Sequence, residues 1–426
     1  MLIFIILAAV IGLICLNVPI AISLALGGVL GLLITEGPSS LVTVALDMYD
    51  GSTKFSLIAI PMFVLAGAIM NAGGVTRRLI EFVSALIGAV RGGLAMVSIG
   101  VSLFFAEISG SAVADVAALG SIMIPEMKKR GYGAPFAAAV TSSSASLAII
   151  IPPSIPMILY AVSANTSVEQ LFVAGFIPGL MGAIGLMGVS WWFARRYNLP
   201  VEEAFNWPRL RRAAIEAGPT FLLPVIILGG IFGGFVTATE AAGLAVLAAI
   251  GVGIWYREVD FRQLHRAMLE GGMQTAVVMV LVAASVLMGG FLTRAQIPQE
   301  LAAQMVAFTD SKYLILLILN VFFLVIGFFL HSAAAIILVV PIVVPLIQQV
   351  GIDPVHFGLV VTLNLAIGQQ TPPVASVLIT ACSIARANIW EVTRVNLPFI
   401  AVLVGVLLIC TYVPAIPMFL VELFYR

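Results

Sequence analysis

Residues 141–154 read Thr141-Ser142-Ser143-Ser144-Ala145-Ser146-Leu147-Ala148-Ile149-Ile150-Ile151-Pro152-Pro153-Ser154, with apolar sequence on both sides. A run of hydroxyls and a double proline thus interrupts what would otherwise be one membrane helix. Each proline removes a backbone donor and frees a carbonyl one turn earlier. Unsatisfied backbone in hydrocarbon costs several kcal/mol per group, so such a break survives only inside protein or beside a water-filled cavity.

The same device recurs. Asn364-Leu365-Ala366-Ile367-Gly368-Gln369-Gln370-Thr371-Pro372-Pro373 carries a second double proline, offset from Pro152-Pro153 by 220 (372 − 152). Upstream of each lies a polar point in an apolar run: Glu107-Ile108-Ser109-Gly110-Ser111 in the first half, and Gly327 with His331-Ser332 in the second. From Ser109 to His331 the offset is 222 (331 − 109). Thr237-Ala238-Thr239-Glu240 follows Asn17-Val18-Pro19-Ile20 by 220 (237 − 17). Near-constant spacing implies two structural repeats, about 1–200 and 210–426.

Charge decides their relative orientation. Lys128-Lys129-Arg130 follows the first hairpin, whereas Gln348-Gln349-Val350-Gly351-Ile352-Asp353 follows the second. Cytoplasmic loops collect Lys and Arg. Equivalent loops therefore lie on opposite sides, which is an inverted-topology repeat.

Composition agrees. Of 426 residues 62% are hydrophobic and 9% charged, against about 25% charged in a soluble domain. The mean hydropathy is +1.16. A spanning helix needs roughly 17–25 apolar residues, which allows about a dozen membrane segments. The runs are continuous rather than alternating, which excludes an outer-membrane barrel. The reading is an all-α polytopic membrane protein forming one transporter domain over 1–426. Its first helix is retained rather than cleaved, since Met1-Leu2-Ile3-Phe4 has no positive leader.

A threading follows, with the N-terminus outside. Helices occupy about 2–16, 19–34 and 55–72, then a cytoplasmic surface helix near 76–90. A hairpin spans 92–127, a broken helix 134–164 and a helix 170–194. The linker 197–217 reads as an interfacial amphipathic helix. The second half repeats the order with 219–236, 240–256, 272–292, a surface helix near 299–309, a hairpin 313–347, a broken helix 356–385 and a last helix 395–424. Sixteen of the twenty Lys and Arg fall inside; Lys54, Arg294, Lys312 and Arg426 fall outside.

The breaks are the candidate binding sites, since transporters build ion and substrate sites from discontinuous helices at the midplane. Carbonyl and hydroxyl oxygens suit a hard cation such as sodium. Ser154 opens a half-helix whose positive end attracts carboxylate. The substrate-facing candidates are Ser109, Gly110, Ser111 and Ser154 in the first half, and His331, Ser332, Thr371 and Pro372 in the second. His331 can contact a carboxylate, carry a proton, or be a neutral tip residue bonded to backbone. Glu240 reads as a helix cap. Gly, Ser and Pro also serve plain helix packing in membranes; four breaks at matched positions favour a binding role.

Other classes lack their signatures. Formal net charge is zero, which argues against a nucleic-acid partner. Cys15, Cys382 and Cys410 lie in apolar runs, neither a disulfide framework nor a metal site. No lysine follows glycine, so there is no phosphate-binding loop and no ATPase. Neither paired catalytic residues of an enzyme nor a channel filter is present.

At these residues the chain resembles the large membrane subunit of tripartite ATP-independent periplasmic (TRAP) transporters. The matching stretches are Ile60-Pro61-Met62-Phe63 with Gly67, Ile108-Ser109-Gly110-Ser111-Ala112-Val113-Ala114-Asp115, Ile151-Pro152-Pro153-Ser154, Thr239-Glu240-Ala241-Ala242, and Asn364-Leu365-Ala366-Ile367-Gly368 with Thr371-Pro372-Pro373. The resemblance implies an elevator-type carrier in the bacterial inner membrane, with sodium as coupling ion and no other cofactor. It implies a small four-helix membrane subunit and a periplasmic binding protein as partners. Substrates would be C4-dicarboxylates, sialic acid or other sugar and keto acids. Carried over residue by residue, one sodium site falls on Ala106, Ser109, Ala148, Ile151 and Pro152, and a second on Gly327, Gly368, Thr371 and Val374. The chain departs from the family's usual residues at Ala106-Glu107, Ala148-Ile149 and Leu330-His331-Ser332, and backbone ligands survive such changes. The alternative is a stand-alone, proton-coupled organic-anion carrier using His331 and Glu107.

Overall fold

A computed structural model describes residues 2–16, 18–201, 204–258, 260–309 and 311–425, with the side chains of residues 2–4, 7, 15 and 107–109 outside the described set. In the first half, α1 (Leu2–Cys15), α2 (Ile20–Glu36) and α3 (Leu41–Ser52) lead to α4 (Ala59–Ala72) and α5 (Val75–Ile87). Next, α6 (Gly93–Ser109) and α7 (Ala112–Lys129) form a hairpin. The broken helix is α8 (Ala134–Ala145) and α9 (Ile155–Ala164), followed by α10 (Val168–Arg196). A linker helix α11 (Trp207–Ala217) runs on into α12 (Leu222–Pro224), a π-helical turn over Val225–Gly229, and α13 (Gly230–Phe232).

The second half repeats the order. It contains α14 (Ala238–Tyr256), α15 (Phe261–Arg294) and α16 (Ile297–Phe308). The hairpin is α17 (Lys312–Phe329) with α18 (Ser332–Gln349), and the broken helix is α19 (Pro354–Gly368) with α20 (Ser376–Ala385). The half closes with α21 (Ile389–Tyr412) and α22 (Ala415–Tyr425). Among the described residues there is no strand, and eight helices are long and apolar enough to cross a membrane. Both Pro152-Pro153 and Pro372-Pro373 are cis.

The two halves interlock reciprocally. α2 packs on α15 while α4 packs on α14; α18 packs on α9 while α7 packs on α20. Each contact is the other's counterpart under the repeat spacing. Lipid tails are as apolar as leucine, so close approach and polar bonds must hold such helices together. Gly31 illustrates this: a Cβ there would lie 2.7 Å from the Phe291 ring. Ile6, Val10, Leu24 and Phe291 on α1, α2 and α15 form a core separate from the large cluster that holds the hairpins and broken helices.

Polar staples mark the ends. Arg294 Nη2 pairs with Asp47 Oδ2 at 2.9 Å, and Arg78 Nη2 pairs with Glu258 Oε1 at 2.7 Å. Lys54 Nζ donates to Val162 O (3.3 Å) near the C-terminus of α9, and Lys128 Nζ donates to Ala385 O (2.9 Å) at the C-terminus of α20. Each places a cation at the negative end of a half-helix. α5 and α11 are amphipathic, meeting through Phe82, Ala85, Leu210 and Ala213.

The threading needs three changes. Leu41–Ser52, expected to be a connection, is a helix. α15 starts at Phe261, well before the expected start at 272, because Asp260 and Gln263 form a reciprocal capping box that extends the helix into polar sequence. The last span is two helices, because Pro414 has no N–H and disfavours helical backbone at Val413, which leaves the helix at φ −123°, ψ 74°. Glu240 is the cap expected: Thr237 Oγ1 accepts from Glu240 N (3.3 Å), and Glu240 Oε2 accepts from Thr237 N (2.8 Å). Asn17, the first-half counterpart in the repeat argument, lies outside the described residues.

Candidate functional site

The first break begins where α8 gives way at Ser146–Ile149 to a tight 3-10 turn. Pro152 has no N–H to reach Ala148 O, and Pro153 has none to reach Ile149 O. The second loss is made good by Ser154, whose hydroxyl donates to Ile149 O at 2.7 Å and accepts from Met157 N at 3.4 Å. Ser154 thereby caps α9. Every residue from Phe136 to Ala161 is buried.

The first hairpin tip closes on this break. Gly110 ends α6 with φ +58°, a left-handed conformation that suits glycine, and its N–H donates to Ala106 O at 3.4 Å. A Cβ on Gly110 would sit 3.0 Å from Pro153 O and 3.2 Å from Ile155 N. The hairpin therefore brings Ala106 and Gly110 to the turn that holds Ala148, Ile151, Pro152 and Ser154. The side chain of Ser109, like that of Glu107, lies outside the described residues. Ser111 is half-buried at the start of α7.

The second break is built differently at the same positions. Thr371 N donates to Gly368 O (3.0 Å), Thr371 Oγ1 to Ile367 O (3.0 Å), and Val377 N to Gln369 O (3.2 Å). Val374 occupies the position that matches Ser154 in the repeat and offers no hydroxyl; its N–H instead donates to Phe328 O of the hairpin at 3.2 Å. Gly327 meets Gly368 backbone to backbone, since a Cβ on Gly368 would lie 2.6 Å from both C and Cα of Gly327. Gly327, Gly368, Thr371 and Val374 are thus one cluster. Val374 is exposed, and Thr371 and Pro372 are half-buried.

His331 and Ser332 lie at the second tip, one turn beyond Gly327. Ser332 is buried. His331 is exposed at the N-cap position of α18, and no side-chain cap bonds that helix end.

Polar side chains outside the motifs tie the elements together. Ser102 Oγ donates to Ser144 Oγ (2.9 Å) in the first half, and Asn364 Nδ2 donates to Asn320 Oδ1 (2.7 Å) in the second. Both join a hairpin arm to its broken helix, and Ser144 and Asn364 occupy matching positions in the two repeats. Asn320 Nδ2 reaches Thr411 Oγ1 at 3.2 Å. Between the halves, Ser143 Oγ lies 2.9 Å from Gln370 Oε1 and 2.6 Å from Asn396 Oδ1. Sequence reading passed over Ser102, Asn320, Asn396 and Thr411. Asn320 alone gave a signal, as the one strongly polar side chain between Tyr313 and Phe329.

The sequence that builds these breaks and hairpins matches a known family over nearly the whole chain. Residues 7–416 fit the model of the tripartite ATP-independent periplasmic transporter, DctM component. The chain belongs to this family. The chain is 41% identical, over 95% of its length, to the isethionate TRAP transporter permease protein DctMQ of Oleidesulfovibrio alaskensis, and spans 64% of that longer protein. It is 38% identical to the C4-dicarboxylate TRAP transporter large permease protein DctM of Pseudomonas aeruginosa, over 92% of each chain. The crystal structure of the YdaH transporter of Alcanivorax borkumensis shares the fold, with a TM-score of 0.64 over 89% of each chain at 14% identity. The chain is accordingly a multi-pass membrane protein of a transporter family.

Proposed function

We propose that this chain is the transport-carrying subunit of a sodium-coupled importer of small organic anions in the bacterial inner membrane. It would act with a small four-helix membrane subunit and a periplasmic binding protein that delivers the substrate. One observation carries the reading: each double-proline break is closed by backbone of its own hairpin, Gly110 against Pro153 in one half and Gly327 against Gly368 in the other. Such geometry concentrates carbonyl and hydroxyl oxygens, the donor set of a hard cation.

Ala106, Ser109, Ala148, Ile151 and Pro152 would hold one sodium, and Gly327, Gly368, Thr371 and Val374 a second. Bound sodium would supply positive charge at these oxygens, which the hairpin and the break would share. The chain's own contribution is a pair of half-helices, α9 and α20, whose N-termini begin at these breaks and favour an anion. Ser109, Gly110, Ser111 and Ser154 would meet the substrate from one half, and His331, Ser332, Thr371 and Pro372 from the other. Isethionate is a sulfonate and the C4-dicarboxylates are carboxylates. The relatives' names share a small molecule with an anionic head, which fits this reading. The hairpins and broken helices would slide as a unit against α1, α2 and the part of α15 that packs with them, an elevator movement.

The test is uptake into proteoliposomes holding the chain and its small membrane partner, using a radiolabelled panel of carboxylates and sulfonates. Accumulation of one anion only when its periplasmic binding protein is added supports the reading and names the substrate. Equal accumulation without the binding protein supports the stand-alone alternative.

A further inference from the structure

The Ser143–Gln370–Asn396 cluster joins the two breaks directly. Ser143 lies on α8, just ahead of the turn that carries Ala148; Gln370 lies between Gly368 and Thr371; Asn396 lies on α21. All three are fully buried. Gln370 Nε2 donates to Ala366 O at 3.4 Å, which turns Oε1 toward the cluster. There Oε1 accepts from Asn396 Nδ2 at 3.4 Å. The Ser143 hydroxyl has one proton and two carbonyl acceptors in reach, Gln370 Oε1 at 2.9 Å and Asn396 Oδ1 at 2.6 Å. Its bond to Gln370 is thus one of two available states, and it spans the halves at the level of the breaks.

We propose that Ser143, Gln370 and Asn396 are positioning residues that couple the two cation sites. The proposal rests on the two-site reading above. Gln370 shares its turn with Gly368 and Thr371, so ordering the second site fixes the Gln370 side chain. That in turn fixes Ser143 and the end of α8, from which the 3-10 turn carrying Ala148 continues. A buried polar network in low dielectric is worth more than its pairwise bonds and falls apart when one member is lost. Occupying one site therefore prepares the other, and sodium binds cooperatively.

The experiment is equilibrium binding of radioactive sodium to the chain reconstituted with its small membrane partner, against a potassium background. Wild type is expected to bind with a Hill coefficient near 2. Ser143→Ala should lower it toward about 1 and raise the half-saturating sodium about tenfold; half-saturation moves as the square root of the coupling factor, so this is an about hundredfold coupling, or about 2.7 kcal/mol. Ser143→Thr, which keeps the hydroxyl, should restore cooperativity. Packing damage alone would lower affinity without selectively abolishing cooperativity. Asn396→Ala makes the same test from α21 if Ser143→Ala does not purify folded. A Ser143→Ala or Asn396→Ala protein that keeps the wild-type Hill coefficient overturns the coupling while leaving sodium binding intact. A wild-type chain that binds no sodium overturns the two-site reading and the coupling with it.

Discussion

Gly368 and Gly327 touch backbone to backbone, so tightly that a methyl group on Gly368 would lie 2.6 Å from two main-chain atoms of Gly327. No flexible side chain can yield there; α17 and α19 must separate. Gly368→Ala should cost about 1–3 kcal/mol, the range for overpacking. Gly327→Ala should cost less, since its Cβ would approach the Gly368 Cα to 3.1 Å. Thermal unfolding of the purified protein with and without sodium checks both. Sodium at 100 times its Kd should raise wild-type stability by about 2.7 kcal/mol per site, and Gly368→Ala should lose the second site's share.

Ser154→Ala removes the side-chain bond that Ile149 O receives across the break and uncaps α9. The expected loss is about 0.5–2 kcal/mol of stability. Because the half-helix end would face the anion, KM for uptake should rise while kcat changes little. Val374→Ala, at the matching position, should leave stability nearly unchanged, since Val374 bonds through its backbone N–H.

His331 is exposed, and no side-chain bond ties it to the helix it caps. His331→Gln should therefore change stability by less than about 0.5 kcal/mol. On the sodium-coupled account it shifts KM for the anion and leaves the sodium dependence in place. Transport that a proton gradient alone drives in wild type and that His331→Gln abolishes would instead mark His331 as a proton carrier.

The Arg78–Glu258 pair ties α5 to the loop between α14 and α15, outside the membrane-spanning segments. The hydrogen bond from Arg78 holds the Glu258 carboxyl below its ordinary range. Its contribution is therefore fully present above about pH 4.3, the unfolded value, and fades as pH falls through the lower folded value. Glu258→Gln should flatten the acid limb of a stability–pH curve by up to about 1 kcal/mol. Gly74 is part of this corner: with φ +67° and a would-be Cβ 1.7 Å from Glu258 Oε2, Gly74→Ala should be more damaging than Glu258→Gln.

The breaks were legible because proline and hydroxyl residues in apolar sequence have few physical explanations. The inverted order was legible because Lys128-Lys129-Arg130 has no basic counterpart near Gln348-Gln349. The reciprocal packing of α2 on α15 and α4 on α14 was not, since it depends on three-dimensional contact between halves with little residue identity. Leu41–Ser52 was missed because Asp47, Tyr49 and Asp50 dilute its apolar pattern; Asp47 is drawn to Arg294, a partner from the far half of the chain. Asn396 gave no signal, since Glu391, Thr393 and Arg394 precede it in the same helix, and only the fold shows that it reaches Ser143.

The central claim, that sodium drives this chain, is tested most directly by imposing one ion gradient at a time. Proteoliposomes holding the complete complex and loaded binding protein would receive an inward sodium gradient, or an inward proton gradient without sodium. The account predicts anion accumulation with the sodium gradient, abolished when potassium replaces sodium, and none with protons alone. Accumulation driven by the proton gradient and indifferent to sodium would contradict it.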